Sequence, residues 1–381
     1  MTEYDLLFSP ISTEEASSFK LLELPQELAS LIETSIKNSE PLSFNIKGSD
    51  AKEDAVLCTR DKTYTIRSVD LSNSILVVTA PADAPHSLEL AGRNDVGVIR
   101  DQVSEILELT PVVPRTQKLM SRIRAREYGE DQEDEQEDGD SVARYTYEQA
   151  RQDIQASDTE LDNCLQQKKI LIINRELRPI APSYLQNILE LVLNLLISLS
   201  QPSSGASVEE LTSALSDDHE ISRVVSTQVL NWFGNIQAGK WIMNADEIIK
   251  ELGLSILRKH KDEPIAKDVF LAQWKETVGD SFADRVSLAL IKGNYLEHAS
   301  PITGDEPRLA YFPSSALPSD PAPRFADLFL TRSRWKGDEI ADFLNDIAVN
   351  SKERDKLLLK YCRAISEAGV IWYTARAQYN G

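Results

Sequence analysis

Hydrophobic positions near the carboxyl end of the chain repeat first at helical spacing and then at strand-like spacing. Residues 325–329 and 340–347 each place apolar side chains at i, i+3 and i+4, which predicts two short amphipathic helices. We expect Ser351 to cap a third helix, whose apolar positions continue to Ile365. Residues 370–374 are β-branched and aromatic, which predicts a wing strand. Three helices and a β-wing predict a winged helix, a variant of the helix-turn-helix whose third helix often lies against nucleic acid.

The same order of elements is predicted twice more upstream. Residues 182–245 read as three helices and a strand, and Ser207 is placed to cap the second helix with Glu210 in a capping box. Residues 246–320 follow with two helices, a third predicted helix over residues 282–291, and two wing strands. No residue-level repeat links these stretches, so the repetition is one of architecture.

The first part of the chain is predicted to be rich in short strands. A strand over residues 19–24 precedes a helix opened by Pro25, and polar turns are expected at residues 60–62 and 70–73. Further strands are predicted over residues 42–46, 55–58, 63–66, 74–79, 87–90 and 107–112. Strands this short favour a barrel or small sandwich that does not close unaided, and an open edge invites a strand from a partner.

One predicted hairpin in this region, residues 55–66, is apolar on both faces, as expected for a strand covered on both sides. It predicts a partner interface at Val56, Leu57, Cys58, Tyr64 and Ile66. An ordinary buried core strand has the same pattern, and the sequence leaves both interpretations open.

An acidic segment divides the strand-rich part from the helical part. Residues 130–140 hold eight acids and no large apolar residue, which predicts a flexible tether. The predicted division is residues 1–115 for the β-rich domain, 116–143 for a short basic helix and the tether, 144–181 for a helical connector, and 182–245, 246–320 and 321–381 for three winged helices.

Composition agrees with an ordinary globular chain. Of 381 residues, 41% are hydrophobic and 27% are charged. Three widely spaced cysteines without a CxxC pair predict reduced thiols in an intracellular compartment. The acidic start does not resemble a signal peptide, and the apolar run over residues 185–199 is too short and too interrupted to span a bilayer. We therefore expect a buried helix there and no membrane association.

Charge is distributed unevenly, and this points to a candidate DNA-binding surface. The whole chain has a net charge of −20, whereas the stretch from Arg324 to the end has ten cations and eight acids. At about 100° per residue the third helix would align four of these cations in one stripe. The predicted DNA contacts are Lys352, Lys356, Lys360 and Arg363, with Arg354 and Arg376 alongside. A solvated helix face is the alternative.

The sequence lacks the common catalytic motifs. It has no GxxxxGK[ST], GxGxxG, GxSxG or HExxH pattern, and its four histidines are scattered without ligand spacing. We therefore expect neither an enzyme nor a cofactor or metal.

Several blocks resemble one family, the sister-chromatid-cohesion subunit of the alternative, cohesion-type replication factor C clamp loader. The most specific is AVLCTRDKTY, residues 55–64, and residues 19–25 resemble the family's first strand. Residues 324–329, 334–340 and 360–370 resemble its last module. These blocks bracket nearly the whole chain in the right order.

The resemblance implies a multidomain α+β fold: an N-terminal β-rich partial barrel completed by partner chains, followed by tandem winged-helix domains. Implied partners are the large AAA+ subunit and a very small subunit of the loader, the DNA polymerase epsilon catalytic subunit, the sliding clamp indirectly, and DNA, single- or double-stranded, without sequence preference. The implied role is that of a non-catalytic nuclear subunit that tethers the loader to the leading-strand polymerase for clamp loading or unloading and cohesion.

Two other classes remain open on the sequence alone. A tandem winged-helix transcription or chromatin-complex subunit would make sequence-specific DNA contacts. A nuclease or hydrolase with dispersed acids would show metal-dependent turnover.

Overall fold

The structure is a computed structural model that describes residues 5–8, 19–48, 54–79, 96–130, 144–298 and 306–376. The chain divides into two compact units, Met1–Val112 and Val113–Gly381. Within the described residues it forms twelve α-helices and five β-sheets, none of which closes on itself. The predicted α+β class is therefore confirmed, whereas the domain boundaries stay predictions.

The first unit is built on one six-stranded sheet. Its elements are β1 (Asp5–Phe8), β2 (Leu21–Glu23), α1 (Gln26–Asn38), β3 (Asn45–Lys47), β4 (Val56–Cys58), β5 (Thr63–Thr79) and β6 (Val96–Pro111). The strand order is β1-β6-β5-β4-β3, and β2 lies parallel to the later part of β6. The predicted first strand, the helix after Pro25 and the turn at residues 60–62 are confirmed.

The predicted turn at residues 70–73 is wrong, because β5 runs through it. Asp70 pairs with Glu105 and Ile75 with Val103, so β5 has extra residues here and bulges against β6. A bulge accommodates polar residues that sequence rules assign to a turn. The predicted strand over residues 87–90 lies outside the described residues, as does nearly all of the acidic tether.

The second unit begins with a connector that has its own core. It contains α2 (Gln117–Ile123), a 3-10 turn (Arg124–Arg126), α3 (Tyr147–Asp153), α4 (Asp158–Gln167), and a hairpin of β7 (Ile170–Ile173) with β8 (Glu176–Pro179). Capping boxes at Thr146 and Ser157 start α3 and α4. Leu119, Leu161 and Leu177 are buried together between these elements.

The first module, residues 182–245, follows the predicted order. It consists of α5 (Pro182–Ser198), β9 (Ala206–Ser207), α6 (Val208–His219), α7 (Arg223–Trp232), β10 (Gly234–Gln237) and β11 (Lys240–Met243). The three strands form an antiparallel sheet in the order β10-β11-β9. Ser207 caps α6, since its hydroxyl accepts from the Glu210 amide at 3.3 Å, but the predicted capping box is incomplete, because the Ser207 amide donates to the Gln201 side chain at 3.3 Å instead. Helix α5 is largely buried, as expected.

The second module, residues 246–320, lacks its predicted third helix. Its elements are α8 (Ala245–Leu257), β12 (Ile265–Ala266), α9 (Lys267–Val278), β13 (Tyr295–His298) and β14 (Arg308–Tyr311). The expected helix over residues 282–291 is replaced by two 3-10 turns, Ala283–Arg285 and Leu288–Ile291. Ser287 separates them, because its hydroxyl accepts from the Ala289 amide and its backbone is extended.

The third module, residues 321–381, requires one correction at its second helix, which ends at Asp342 and does not continue to residue 347, and two corrections at its third helix. Its elements are α10 (Pro321–Thr331), β15 (Arg334–Lys336), α11 (Gly337–Asp342), α12 (Ser351–Tyr361), β16 (Cys362–Glu367) and β17 (Val370–Ala375). Asn350 rather than Ser351 caps α12, accepting from the Glu353 amide at 3.0 Å. The helix ends at Tyr361, so Ile365 belongs to a strand. Its i+4 spacing from Tyr361 fits a helix, but pairing with Trp372 fixes it in the sheet.

The modules of the second unit are packed together. One core contains residues of the connector hairpin, the first module and the second module. Leu296 of β13 lies in the core of the third module, beside Trp335 and Leu328. Arg324, which is fully buried, donates to the Ser314 carbonyl at 2.6 Å and pairs with Asp346. These contacts hold the third module against the segment that precedes it.

Candidate nucleic-acid interface

Helix α12 carries the core of the predicted DNA-binding surface. Its inward side is fixed by Leu358 and by Tyr361, whose ring stacks on Phe325 with centroids 5.0 Å apart. Lys352, Lys356 and Lys360 are exposed on the opposite side, as predicted. We call these three residues the lysine stripe.

The lysine stripe is only loosely engaged by the rest of the protein. Lys356 pairs with Glu353 on the same helix at 2.7 Å, an exposed i, i+3 pair worth a few tenths of a kcal/mol. The Lys360 ammonium lies 5.1 Å from the Tyr361 ring centroid. Leu359, 72% exposed, lies between the lysines on the same face. A phosphate could therefore displace the Glu353 contact at small cost.

The other three predicted contact residues lie elsewhere. Arg354 points away from the stripe, is partly buried, and has its Nε 3.7 Å from the Asp355 carboxylate. Arg363 is on β16, so it does not continue the helical stripe, and its expected place in one row with the lysines is wrong. Arg376 follows β17, and its amide donates to the Tyr361 carbonyl at 3.2 Å, which brings it to the end of α12.

Cys362, at the junction of α12 and β16, is buried, and burial raises the pKa of its thiol to about 12. The thiolate is therefore disfavoured, and Cys362 serves packing. The three cysteines are all buried thiols, in agreement with the expected reduced state.

The helix of the first module that corresponds to α12 is partly covered by the connector. On α7, the side-chain amide of Gln228 accepts from the Ile172 N–H at 2.9 Å and donates to the Ile172 carbonyl at 3.1 Å. The Lys169 ammonium lies 4.3 Å from the Phe233 ring centroid, and burial lowers its pKa. Strand β7 thus covers one flank of α7, whereas Arg223, Val224 and Thr227 on its outer face stay exposed.

The second module has no third helix to offer, because two 3-10 turns replace it. The second of these turns contains Ile291, which is fully buried in the shared core. Among the described residues, α12 is therefore the one third helix of the three modules that exposes a row of lysines, since the exposed face of α7 has a single cation, Arg223, paired with Glu209.

The three modules also differ in net charge. Residues 182–245 hold six acids and two cations, and residues 246–320 hold thirteen acids and nine cations. Residues 321–381 hold eight acids and ten cations. Of the three modules, the last alone has a net positive charge, and it also carries the lysine stripe.

The predicted partner-interface residues lie in the interior of the first unit. Val56, Leu57, Cys58 and Tyr64 are buried by the chain itself, and Ile66 is half-buried. Leu57 and Tyr64 form a small core with Leu28 and Leu109. Within this chain these residues form a buried core strand, which is the second of the two interpretations that the sequence allowed. Their contact with a partner stays a prediction.

Exposed apolar residues of the first unit lie instead at its two edge strands and on the far part of β5. Phe8 on β1 is 74% exposed and Ile46 on β3 is 70% exposed, and Ile75, Leu76 and Val78 on β5 are also exposed. The sequence does not single these out, because an apolar residue in a short strand gives no sign of whether its own chain covers it.

Two absences concern the described residues only. No group of three or more His, Cys, Asp and Glu is arranged there to hold a metal ion. None of the helices there combines the length and the apolar character needed to cross a bilayer.

The fold and the surface define a class: a multimodular α+β protein with an open N-terminal sheet and one cationic, uncovered helix. Residues 19–344 match the family model described as sister chromatid cohesion protein Dcc1. The chain belongs to this family, as its sequence resemblance predicts.

Similar proteins from distant eukaryotes carry the same family name. The chain is 26% identical over 371 residues to the human sister chromatid cohesion protein DCC1, covering 95% of this chain and 89% of the human protein. It is 25% identical to a probable sister chromatid cohesion protein DCC1 of Dictyostelium discoideum, covering 92% of each chain. The Saccharomyces cerevisiae protein of that name is 23% identical, with 91% of this chain and 93% of the relative covered. The chain is thus a cohesion-related accessory protein.

Proposed function

We propose that this protein is a non-catalytic, nuclear accessory subunit of an alternative replication factor C clamp loader. In this role it binds DNA and tethers the loader to the catalytic subunit of leading-strand DNA polymerase epsilon. The loader then places or removes the sliding clamp in support of sister chromatid cohesion. Membership of the sister chromatid cohesion protein Dcc1 family supports the cohesion part of this proposal.

We assign three winged helices to the second unit. The first and third modules each have a helix, a short strand, two helices and a β-hairpin, with all three strands in one antiparallel sheet. This is the order of elements in a winged helix. The second module keeps the sheet and two helices, and its 3-10 turns stand where the third helix would be.

The DNA contact is assigned to the third module, and the observation that carries it is the uncovered lysine stripe on α12. Lysines on flexible stems suit contact with phosphates in any sequence better than bidentate recognition of a base edge. Arg376 lies close enough to the end of α12 to join them, whereas Arg354 and Arg363 contribute only to the surrounding charge. The acidic remainder of the chain opposes DNA, so binding should be weak and sensitive to salt.

The partner contact is assigned to the first unit. Its sheet ends in β1 and β3 within the described residues, and apolar side chains on both strands are exposed. An open edge of this kind is suited to strands from other chains. The proposed donors are the large AAA+ subunit and the very small subunit of the loader, which together would complete a barrel.

Charge reversal in the lysine stripe tests the DNA contact. The double variant Lys356→Glu/Lys360→Glu should bind duplex DNA more weakly for every sequence. The slope of log K against log salt should become shallower by about 0.9 for each phosphate that the variant no longer neutralises. Fluorescence anisotropy with labelled duplexes at several salt concentrations measures both effects.

The matched control is Lys259→Glu/Lys261→Glu, which changes net charge equally on exposed lysines of the second module. If both double variants lose the same affinity, only total charge matters and the assignment to α12 fails. Preference for one DNA sequence, with purification alongside transcription factors rather than loader subunits, would instead identify a winged-helix transcription or chromatin-complex subunit.

A further inference from the structure

Strand β16 is an edge strand with unpaired backbone groups. Among the described residues it pairs with β17 alone, through a two-residue turn at Ala368 and Gly369, both of which have positive φ. In such a hairpin the residues flanking the turn form a hydrogen-bonded pair, and every second residue then points its N–H and C=O at the partner strand. The Arg376–Tyr361 hydrogen bond fits this alternation, because Tyr361 lies two residues before Arg363, whose backbone groups face β17. The N–H and C=O groups of Ala364 and Ser366 therefore point away from the sheet.

The corresponding edges of the other modules are shorter, and one is occupied. Strands β10 and β13 each have four residues, whereas β16 has six. The Glu297 carbonyl of β13 accepts from the Arg332 guanidinium, and the neighbouring Leu296 side chain is buried in the third module. On β16 every residue after Cys362 is exposed. Soluble proteins usually protect edges of this length, so an unprotected one indicates a site for strand addition.

The outer face of the same sheet combines cations with apolar side chains. The register places Arg334 and Lys336 of β15, Trp372 of β17, and Arg363 and Ile365 of β16 on one face. The Arg334 guanidinium lies 4.2 Å from the Trp372 ring centroid, and the Lys336 ammonium lies 5.8 Å away. Trp and Arg are the residue types most enriched at the centres of protein interfaces.

We propose that β16 and this outer face bind an extended peptide segment of a partner protein, in which every second residue is in turn acidic and apolar, and which adds to the sheet as a fourth strand. The outward N–H and C=O groups of Ala364 and Ser366 supply its backbone hydrogen bonds. An acid on the added strand next to Arg363, and an apolar residue next to Ile365, complete the match along the outer face.

A strand fits this surface better than a nucleotide does. Base stacking requires an open ring face, but Trp372 has Arg334 and Lys336 on one side and Ile365 as its direct neighbour on β16. Glu367, which pairs with Arg334, also opposes phosphate on this face. The small side chains of Ala364 and Ser366 leave room on the other face for the added strand. This surface is separate from the lysine stripe, so the peptide and DNA do not share their main contacts.

The test uses the full chain and a short fluorescent peptide with the repeat Glu-Thr-Val-Thr, which places glutamate and valine in turn on one face, and a peptide with the repeat Lys-Thr-Val-Thr as the charge control. We expect saturable binding of the acidic peptide only, with slowed amide exchange at Ala364 and Ser366. Ser366→Pro removes an outward N–H and should weaken binding at least about fivefold, the equivalent of one hydrogen bond of about 1 kcal/mol. Ser366→Thr keeps that N–H and should bind as the parent does.

Arg363→Glu should reverse the preference between the two peptides, whereas Lys356→Glu/Lys360→Glu should leave peptide binding unchanged. The proposal is overturned if neither peptide binds, or if Ser366→Pro binds like Ser366→Thr. It is also overturned if this face binds an oligonucleotide in a Trp372-dependent manner without protecting the edge amides.

Discussion

Single buried groups hold the third module against the segment before it, and Arg324 is the clearest case. Its side chain is 1% exposed, and its guanidinium contacts both Asp346 oxygens and the Ser314 carbonyl. An exposed ion pair in the second module, Arg285 with Asp246, has the same charges without the burial. Comparing these two ion pairs separates the effect of burial on stability from the effect of ion pairing.

We expect Arg324→Met to lower the free energy of unfolding by about 3 kcal/mol, because it leaves the Asp346 carboxylate and the Ser314 carbonyl without their donor. Arg324→Lys should rescue little, since one ammonium cannot replace a planar fork. The matched variant Arg285→Met should cost less than about 1 kcal/mol. Urea denaturation of the full chain measures all three, and equal effects at the two sites would contradict the role given to burial.

Tryptophans show where residue-level prediction succeeds and where it fails. Each module has one fully buried indole whose N–H donates to a helix carbonyl: Trp241 to Leu230, Trp274 to Ile249 and Trp335 to Leu328. In the sequence, Trp232, Trp274 and Trp335 each fall on or beside an apolar helix face, which predicts core positions for all three, but Trp232 is only partly buried. Helical spacing identifies an apolar face, whereas the burial of Trp241 depends on β11 pairing with β9, which spacing does not reveal.

At the scale of elements, the sequence predicts helix starts and single strands more accurately than helix ends. The Ser207 cap, helix α1 after Pro25 and wing strand β17 are all where the pattern predicts. The end of α12 is not, because residues 362–367 satisfy helical spacing and strand alternation at once. Sheet pairing settles such a case, and pairing is a long-range property. The lysine stripe was therefore predictable, and the separate place of Arg363 was not.

The contact between β7 and α7 provides an element-scale prediction. Gln228→Ala removes the side-chain amide that occupies both backbone groups of Ile172, and it should speed amide exchange at Ile172 by about fivefold. Gln186→Ala is the control, since the Gln186 amide contacts a glutamate side chain on its own helix. Hydrogen exchange with mass spectrometry on the full chain reports both, and unchanged exchange at Ile172 would show that Gln228 does not hold the strand.

At the scale of the whole molecule, the two units differ in how much apolar surface each buries. Within its described residues, the first has a buried cluster of four residues, a few further buried side chains such as Val56, Val98 and Val103, and exposed apolar side chains on β1, β3 and β5. The second has large continuous cores. A unit with little buried surface cannot offset the conformational entropy lost on folding.

We therefore expect residues 1–112 to be unstable in isolation and residues 113–381 to melt cooperatively. Circular dichroism melts and size-exclusion chromatography of the two fragments test this. A monodisperse, cooperatively melting fragment of residues 1–112 would contradict the proposal that partner strands complete its sheet.

The restriction of the exposed lysine row to α12 also bears on how long the proposed complex with DNA would last. With one lysine-bearing third helix among the three modules, the proposed contact is held at a single point, and breaking it releases the duplex. A second anchor elsewhere on the same assembly changes the kinetics, because it keeps α12 near the duplex at an effective concentration of about millimolar. Rebinding of α12 to the duplex is then faster than dissociation of the whole assembly. Dwell time would be set by the anchor, and α12 could remain a weak binder that slides with a moving fork.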